Sequence, residues 1–198
     1  MSAQPRAYTT SGKPFVTPEE YLAAERKAEF KHEYHAGEVT AMSGASRVHN
    51  LLVKNLLVGL DNQSGDRCSV FPSDMRVHVP ANGLYTYPDV SVVCGEEQPL
   101  DEAHLDTLLN SVVLLEVLSV STARNDRGSK FLLYKSIPSL QHYVVVGSQR
   151  VQVFCYSRGS GEDWTIREYR GLTAVLSSAA LPLELPLSAI YRRLNLPG

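Results

Sequence analysis

The chain has 198 residues, 43% hydrophobic and 20% charged, with a formal net charge of −2. A chain of this length buries a substantial core without disulfides or structural metals. Its near-neutral charge argues against a protein that coats nucleic acid non-specifically, while leaving room for a local basic patch. Nothing approaches the ~18 consecutive apolar residues of a membrane span, and MSAQPRAYTTSGKPF lacks the apolar core of a secretion signal. A cytoplasmic location is therefore expected. Cys68, Cys94 and Cys155 are odd in number, far apart and set in or beside apolar runs, so reduced structural thiols are expected.

Residues 1–14 are polar and read as a flexible arm ahead of a single domain over 15–192. Thr17-Pro18-Glu19-Glu20 signals a helix start, with Thr17 as N-cap, and predicts a helix to about Lys31. EYHAGEVTAM (33–42) predicts a hairpin turning at Ala36-Gly37. A helix follows over about 46–63, its apolar stripe including Val48, Leu52, Leu56 and Leu60, and Gly65 ends it. Residues 68–79 are strand-like and pair, across the tight-turn signal Asn82-Gly83, with 85–94. The acidic segment 96–110 is irregular, with a short helix near DEAHLDTLL. Val112–Ser119 is a continuous apolar run, read as a central strand covered on both faces. A helix over 126–136 turns Phe131, Leu132 and Tyr134 inward, and Pro138 lies just beyond its end. Strands follow at 141–146, 151–156 and 164–169, and the C-terminal segment caps the sheet and ends in a short helix. The fold class is α/β, an antiparallel meander joined to a helical crossover.

Two carboxylates interrupt apolar strands: Asp89 in YPDVSVVC and Glu116 in VVLLEVLS. Burying a carboxylate is costly unless positive charge lies beside it. If the two strands are neighbours, Asp89 and Glu116 converge on one hard cation. Mg²⁺ suits them, since it accepts one or two carboxylates alongside waters and phosphate. Lys130, on the following helix, would stabilise developing charge or hold the attacking water. The plainer reading has Asp89 capping a turn, Glu116 paired with a buried arginine, and Lys130 on the surface.

The succession Pro88-Asp89, Glu116-Val117-Leu118-Ser119 and Asp126-Arg127-Gly128 with Lys130 and Tyr134 resembles the PD-(D/E)XK nuclease superfamily, and within it the Uma-type branch. HEYHAGEVTAMSGAS, SDMRV and IPSLQHYVVV extend the likeness over roughly 15–192. The resemblance implies a restriction-endonuclease-like fold, a mixed central sheet flanked by helices, with an added N-terminal helix and hairpin and added C-terminal strands. It implies a metal-dependent endodeoxyribonuclease, using Mg²⁺ or Mn²⁺ held by Asp89, Glu116 and the Val117 carbonyl, with DNA as substrate. One departure stands out. The superfamily pattern places lysine two residues after the acid, where this chain has Leu118. Lys130 is the candidate replacement, sharing a helix face with Asp126 and Tyr134.

Glu33, Asp74 and His49 are candidate supporting residues, each with a structural alternative: a hydrogen bond to the hairpin, a pair with Arg76 or Arg127, and a helix-terminal surface position. Arg124, Arg127 and Lys135 are candidate phosphate contacts or a solvated face. His32 and His35 have no cysteine partner nearby and are discounted as metal ligands. A homodimer would suit cleavage of both strands of a duplex. Leu118 also keeps open a different class of function, a catalytically weak or inactive module binding nucleic acid or protein.

Overall fold

A long hairpin, bent in its middle and shared between two sheets, gives the molecule its plan. The computed structural model describes residues 8–118, 128–161, 163–178 and 183–197. Helix α1 (Pro18–Glu25) starts in a capping box: the Thr17 side chain accepts from the Glu20 amide and the Glu20 carboxylate accepts from the Thr17 amide. It stops well before the expected Lys31. Arg26, just past its end, is drawn to Asp101 and Asp106, each at 2.8 Å, and the chain turns away there. Strands β1 (His32–His35) and β2 (Glu38–Ala41) form the expected hairpin, with Ala36 and Gly37 both at positive φ, 49° and 87°. That is the tight-turn geometry whose twist matches the strands, and glycine accepts it without strain.

Helix α2 (Arg47–Ser64) is capped by Ser46 and buries Leu52, Leu56 and Leu60. A Cβ at Gly59 would come within 2.6 Å of the Leu185 side chain, so this mid-helix glycine permits close packing. Strands β3 (Cys68–Pro72) and β4 (Arg76–Val79) replace the single strand expected over 68–79, and β5 (Leu84–Thr86) and β6 (Val90–Cys94) replace its partner. The expected pairing holds in both halves, β3 against β6 and β4 against β5, but each half lies in a different sheet. The breaks fall after Pro72 and around Pro88, where a missing amide or a restricted φ interrupts the ladder.

The helix expected near DEAHLDTLL is absent. Asp101 accepts from the amides of Ala103 and His104, a local turn that competes with a helix, and the chain then extends as β7 (Thr107–Leu108). Strand β8 (Val113–Leu118) is wholly buried. Helix α3 (Ser129–Tyr134) is shorter than expected and leaves Leu132 exposed, not inward-facing. Strands β9 (His142–Gly147), β10 (Gln152–Arg158), β11 (Trp164–Arg170), β12 (Val175–Ser178) and β13 (Leu183–Pro186) lead into the short α4 (Leu187–Ile190).

The six-stranded sheet runs β11-β10-β9-β8-β6-β3, antiparallel except for the parallel β8–β9 pair. The second sheet has five strands, β2-β1-β5-β4-β7, and β12 pairs with β13 alone. One face of the larger sheet packs on α2 through Leu52, Leu56, Val90, Leu115, Val117 and Val144. Residues of the other face, Leu114, Leu118 and Tyr143, join Tyr134 and Ile137 with Val77, Val79 and Leu84 of the smaller sheet in a second core. This is a mixed α/β architecture. Among the described residues no helix is long and apolar enough to cross a membrane. Cysteine chemistry departs from expectation. Cys68 and Cys94 stand opposite each other on β3 and β6 and form a disulfide, while Cys155 is a buried free thiol.

Candidate functional site

The seam between the two sheets collects most of the acidic candidates. The chain passes from β5 to β6 through Tyr87, Pro88 and Asp89, so Asp89 lies at the crossing. Val90 pairs with Leu115 at the end of the antiparallel ladder, so Asp89 and Glu116 each lie one residue beyond that last pair. An Asp89 oxygen accepts from the Val117 amide at 2.7 Å, which fixes the carboxylate against β8. His49, in the first turn of α2, approaches the same carboxylate through Nε2 at 3.1 Å. That hydrogen bond raises the His49 pKa against the opposing effect of burial. Its Nδ1 is buried with no partner among the described residues. A neutral ring donating from Nε2 leaves only a lone pair there, which is cheaper to bury than a second N–H.

Glu116 Oε1 accepts from Tyr134 at 2.8 Å and Lys130 at 3.1 Å. Lys130 and Tyr134 are four residues apart on α3, the spacing that lets two side chains reach one target. Lys130 also reaches Glu33 Oε1 on β1 at 3.3 Å, and Thr86 on β5 donates to the same Glu33 oxygen. Thr86 and Tyr134 hydroxyls lie 3.3 Å apart. Each has one hydrogen, and both hydrogens are committed to carboxylates, so that contact closes the ring chiefly by packing. Glu33, Thr86, Tyr134, Glu116 and Lys130 thus form a closed circuit spanning both sheets and α3.

Burial pushes the Glu116 carboxyl up to about 7; Lys130 pulls it down, Asp89 pushes it up, and Tyr134 and Glu33 act in turn downward and upward. Burial also raises Tyr134 well above the usual phenol range, so its hydroxyl remains a donor. Glu116 therefore pairs with Lys130 and Tyr134 rather than with a buried arginine, and Lys130 faces the site rather than solvent. Leu118 shares the Glu116 face of β8 but lies in the apolar core with Tyr134. No charged group could be accommodated there without disruption.

The other candidates fall elsewhere. Asp74 sits 86% exposed in the turn between β3 and β4, paired with Lys31 at 3.0 Å, while Arg76 pairs with Asp106. Val117 contributes its amide to Asp89. Asp126, Arg124 and Arg127 lie outside the described residues. His32 is bound to Glu25. Thr86 was not singled out by sequence reasoning, and an ordinary strand threonine carries no signal that would have found it.

The donors suit a hard cation, since Asp89 and Glu116 present oxygen atoms beside a lysine that already supplies a countercharge. Among the described residues no three or more His, Cys, Asp or Glu side chains gather as a metal cage. A carboxylate pair matches Mg²⁺, which keeps much of its own water.

Comparison with known proteins bears on the family and the fold. Residues 18–189 match the family model Uma2, described as "Putative restriction endonuclease". The Synechocystis sp. (strain ATCC 27184 / PCC 6803 / Kazusa) "Uncharacterized protein slr1290" is 35% identical over 182 residues, 91% of this chain and 94% of its own length. A second protein of that organism, "Uncharacterized protein sll1609", is 36% identical over 160 residues, 80% of this chain and 90% of its own. A crystal structure described as a "putative nuclease belonging to DUF820", from Anabaena variabilis ATCC 29413, superposes with a TM-score of 0.71 at 16% identity, covering 88% of this chain and 97% of that one. At that identity the likeness speaks for the fold. The chain belongs to the Uma2 family, described as "Putative restriction endonuclease".

Proposed function

We propose that this protein is a divalent-metal-dependent endodeoxyribonuclease. The observation that carries the reading is the meeting of Asp89, Glu116 and Lys130 at one sheet seam, with Lys130 on Glu116 at 3.1 Å. Asp89 and Glu116 would hold Mg²⁺ or Mn²⁺, with the Val117 carbonyl as a further oxygen donor. Bound there, the metal would act as a Lewis acid toward a phosphate oxygen and make a water more acidic. The chain's own residues supply the rest. His49 and the Val117 amide hold the Asp89 carboxylate in place. Tyr134 orients Glu116. Lys130 offers its ammonium to the negative charge that grows on the phosphate as the phosphodiester bond is attacked, and to the attacking water. Its arrival from α3 takes the place of the lysine that Leu118 displaces. Family membership supports a nucleic acid substrate.

The test is cleavage of supercoiled plasmid and labelled single-stranded DNA with Mg²⁺ or Mn²⁺, comparing wild type with folded Asp89→Ala, Glu116→Ala and Lys130→Ala. Each variant is expected to lose ~100-fold or more in rate, the scale of losing a group that stabilises transition-state charge. Loss in the carboxylate variants with Lys130→Ala unaffected would remove Lys130 from the chemistry. Wild type that binds DNA with metal present but cuts neither substrate would instead favour a binding module on the same fold.

A further inference from the structure

Glu33 is the one carboxylate of the circuit that the metal reading does not use. It stands on β1, in the smaller sheet, while Glu116 stands on β8 of the larger one and Asp89 lies just before β6. Its Oε1 is anchored by the Thr86 hydroxyl and receives Lys130 at 3.3 Å, against 3.1 Å for Lys130 to Glu116. One ammonium is therefore shared between two carboxylates of different sheets. Lys130 lies on Glu116 Oε1 as a resident cation, so a divalent cation that engages this oxygen meets Lys130 as a competitor.

We propose that Glu33 is a positioning residue that receives Lys130 when a divalent cation engages Glu116. Lys130 then yields Glu116 without leaving the site. This rests on the metal reading above. The charges are consistent with it. Asp89, Glu116 and Glu33 carry three negative charges, Lys130 one positive charge and the cation two, so the set is neutral with a neutral His49. Replacing Glu33 with glutamine keeps a partner for Thr86 and removes the charge that draws Lys130 away. Lys130 would then lean on Glu116 and oppose the cation. Thr86 also explains why Glu33 is a fixed dock: its hydroxyl holds the carboxylate whether or not Glu116 changes partner.

The experiment is calorimetric titration with Mg²⁺ alone, without DNA, on wild type, Glu33→Gln, Lys130→Met, the double variant and Glu116→Gln, each checked for an unchanged fold by circular dichroism. A pH of about 8.5, above the value of about 7 to which burial pushes Glu116, keeps that carboxylate ionised, so its proton release does not mask the competition. Glu33→Gln is expected to weaken Mg²⁺ by about tenfold in wild type, and by threefold or less when Lys130 is already methionine. Lys130→Met alone should tighten Mg²⁺ several-fold. Equal weakening by Glu33→Gln in both backgrounds would overturn the proposal, because Glu33 would then act on the cation without Lys130. So would unchanged affinity in both single variants, while loss of binding in Glu116→Gln kept the metal reading intact. A wild type that binds no Mg²⁺, or a Glu116→Gln variant that binds it equally well, would overturn the metal reading and this inference with it.

Discussion

Glu116 combines a near-complete loss of solvent with a place among other carboxylates. Burial is the largest cause that pushes it up to about 7, while an unfolded chain gives up the same proton near 4.5. Between those values the folded protein holds a proton that the unfolded chain has lost, so stability falls as pH rises. His49, raised above its ordinary 6.5 by its hydrogen bond to Asp89, acts in the same sense. Its contribution is complete at low pH and is lost as pH climbs through the folded value. The metal-free protein is therefore expected to lose on the order of 5 °C in Tm between about pH 5 and pH 8. Glu116→Gln should remove most of that fall, and Mg²⁺ should reverse it at the higher pH. A thermal melt series shows it directly; a flat wild-type profile would contradict the burial of an ionisable Glu116. Asp89 and Glu116 were legible in the sequence because carboxylates are rare inside apolar runs. Thr86 was not, because its partners Glu33 and Tyr134 lie 53 and 48 residues away, and only the fold brings them together.

Helix α1 shows what local rules capture and where they stop. Its start was legible because the capping box is a contact three residues long, and both halves of it form. Thr17→Ala is expected to lower stability by about 1 kcal/mol, read as a shifted urea midpoint at unchanged slope. Its end was not legible, because it depends on Arg26 meeting Asp101 and Asp106, residues 75 and 80 positions away. The false helix near residue 103 failed for the opposite reason. A local aspartate turn competed with helical propensity, and pairing of β7 with β4 settled the matter. Helix α3 was legible in kind, and Phe131 and Tyr134 turn inward as expected, but Leu132 does not. The polar pair Lys130 and Tyr134 points to Glu116, and this leaves Leu132 exposed despite its apolar character.

At the scale of the whole molecule, the unforeseen feature is the division of one hairpin between two sheets. Alternation with a period of two reads the same whichever sheet a strand joins, so only Pro72 and Pro88 hinted at the breaks. The disulfide was also unforeseen. Two thiols 26 residues apart become neighbours only once β3 and β6 are in register. Closing a loop of that length restricts the unfolded chain, so reduction is expected to lower stability by about 3 kcal/mol. Melts with and without a reductant, repeated on Cys68→Ser/Cys94→Ser, would measure it; equal stability in both redox states would show that the link contributes nothing. Family and fold class survive from the sequence reading, while sheet partition and cysteine pairing belong to the third dimension.

Leu118 bears on how such a site changes over generations. The position two residues beyond Glu116 is now part of an apolar core shared with Tyr134, Val77 and Ile137. Returning a lysine there would bury an ammonium without a prepared partner, at a penalty of several kcal/mol. If Lys130 acts as proposed, a descendant that lost it could not regain function by restoring the superfamily pattern at residue 118 in a single step. On the proposed assignment, moving the lysine onto α3 acts as a ratchet. Every later improvement in the packing around Leu118 makes the ancestral arrangement harder to reach.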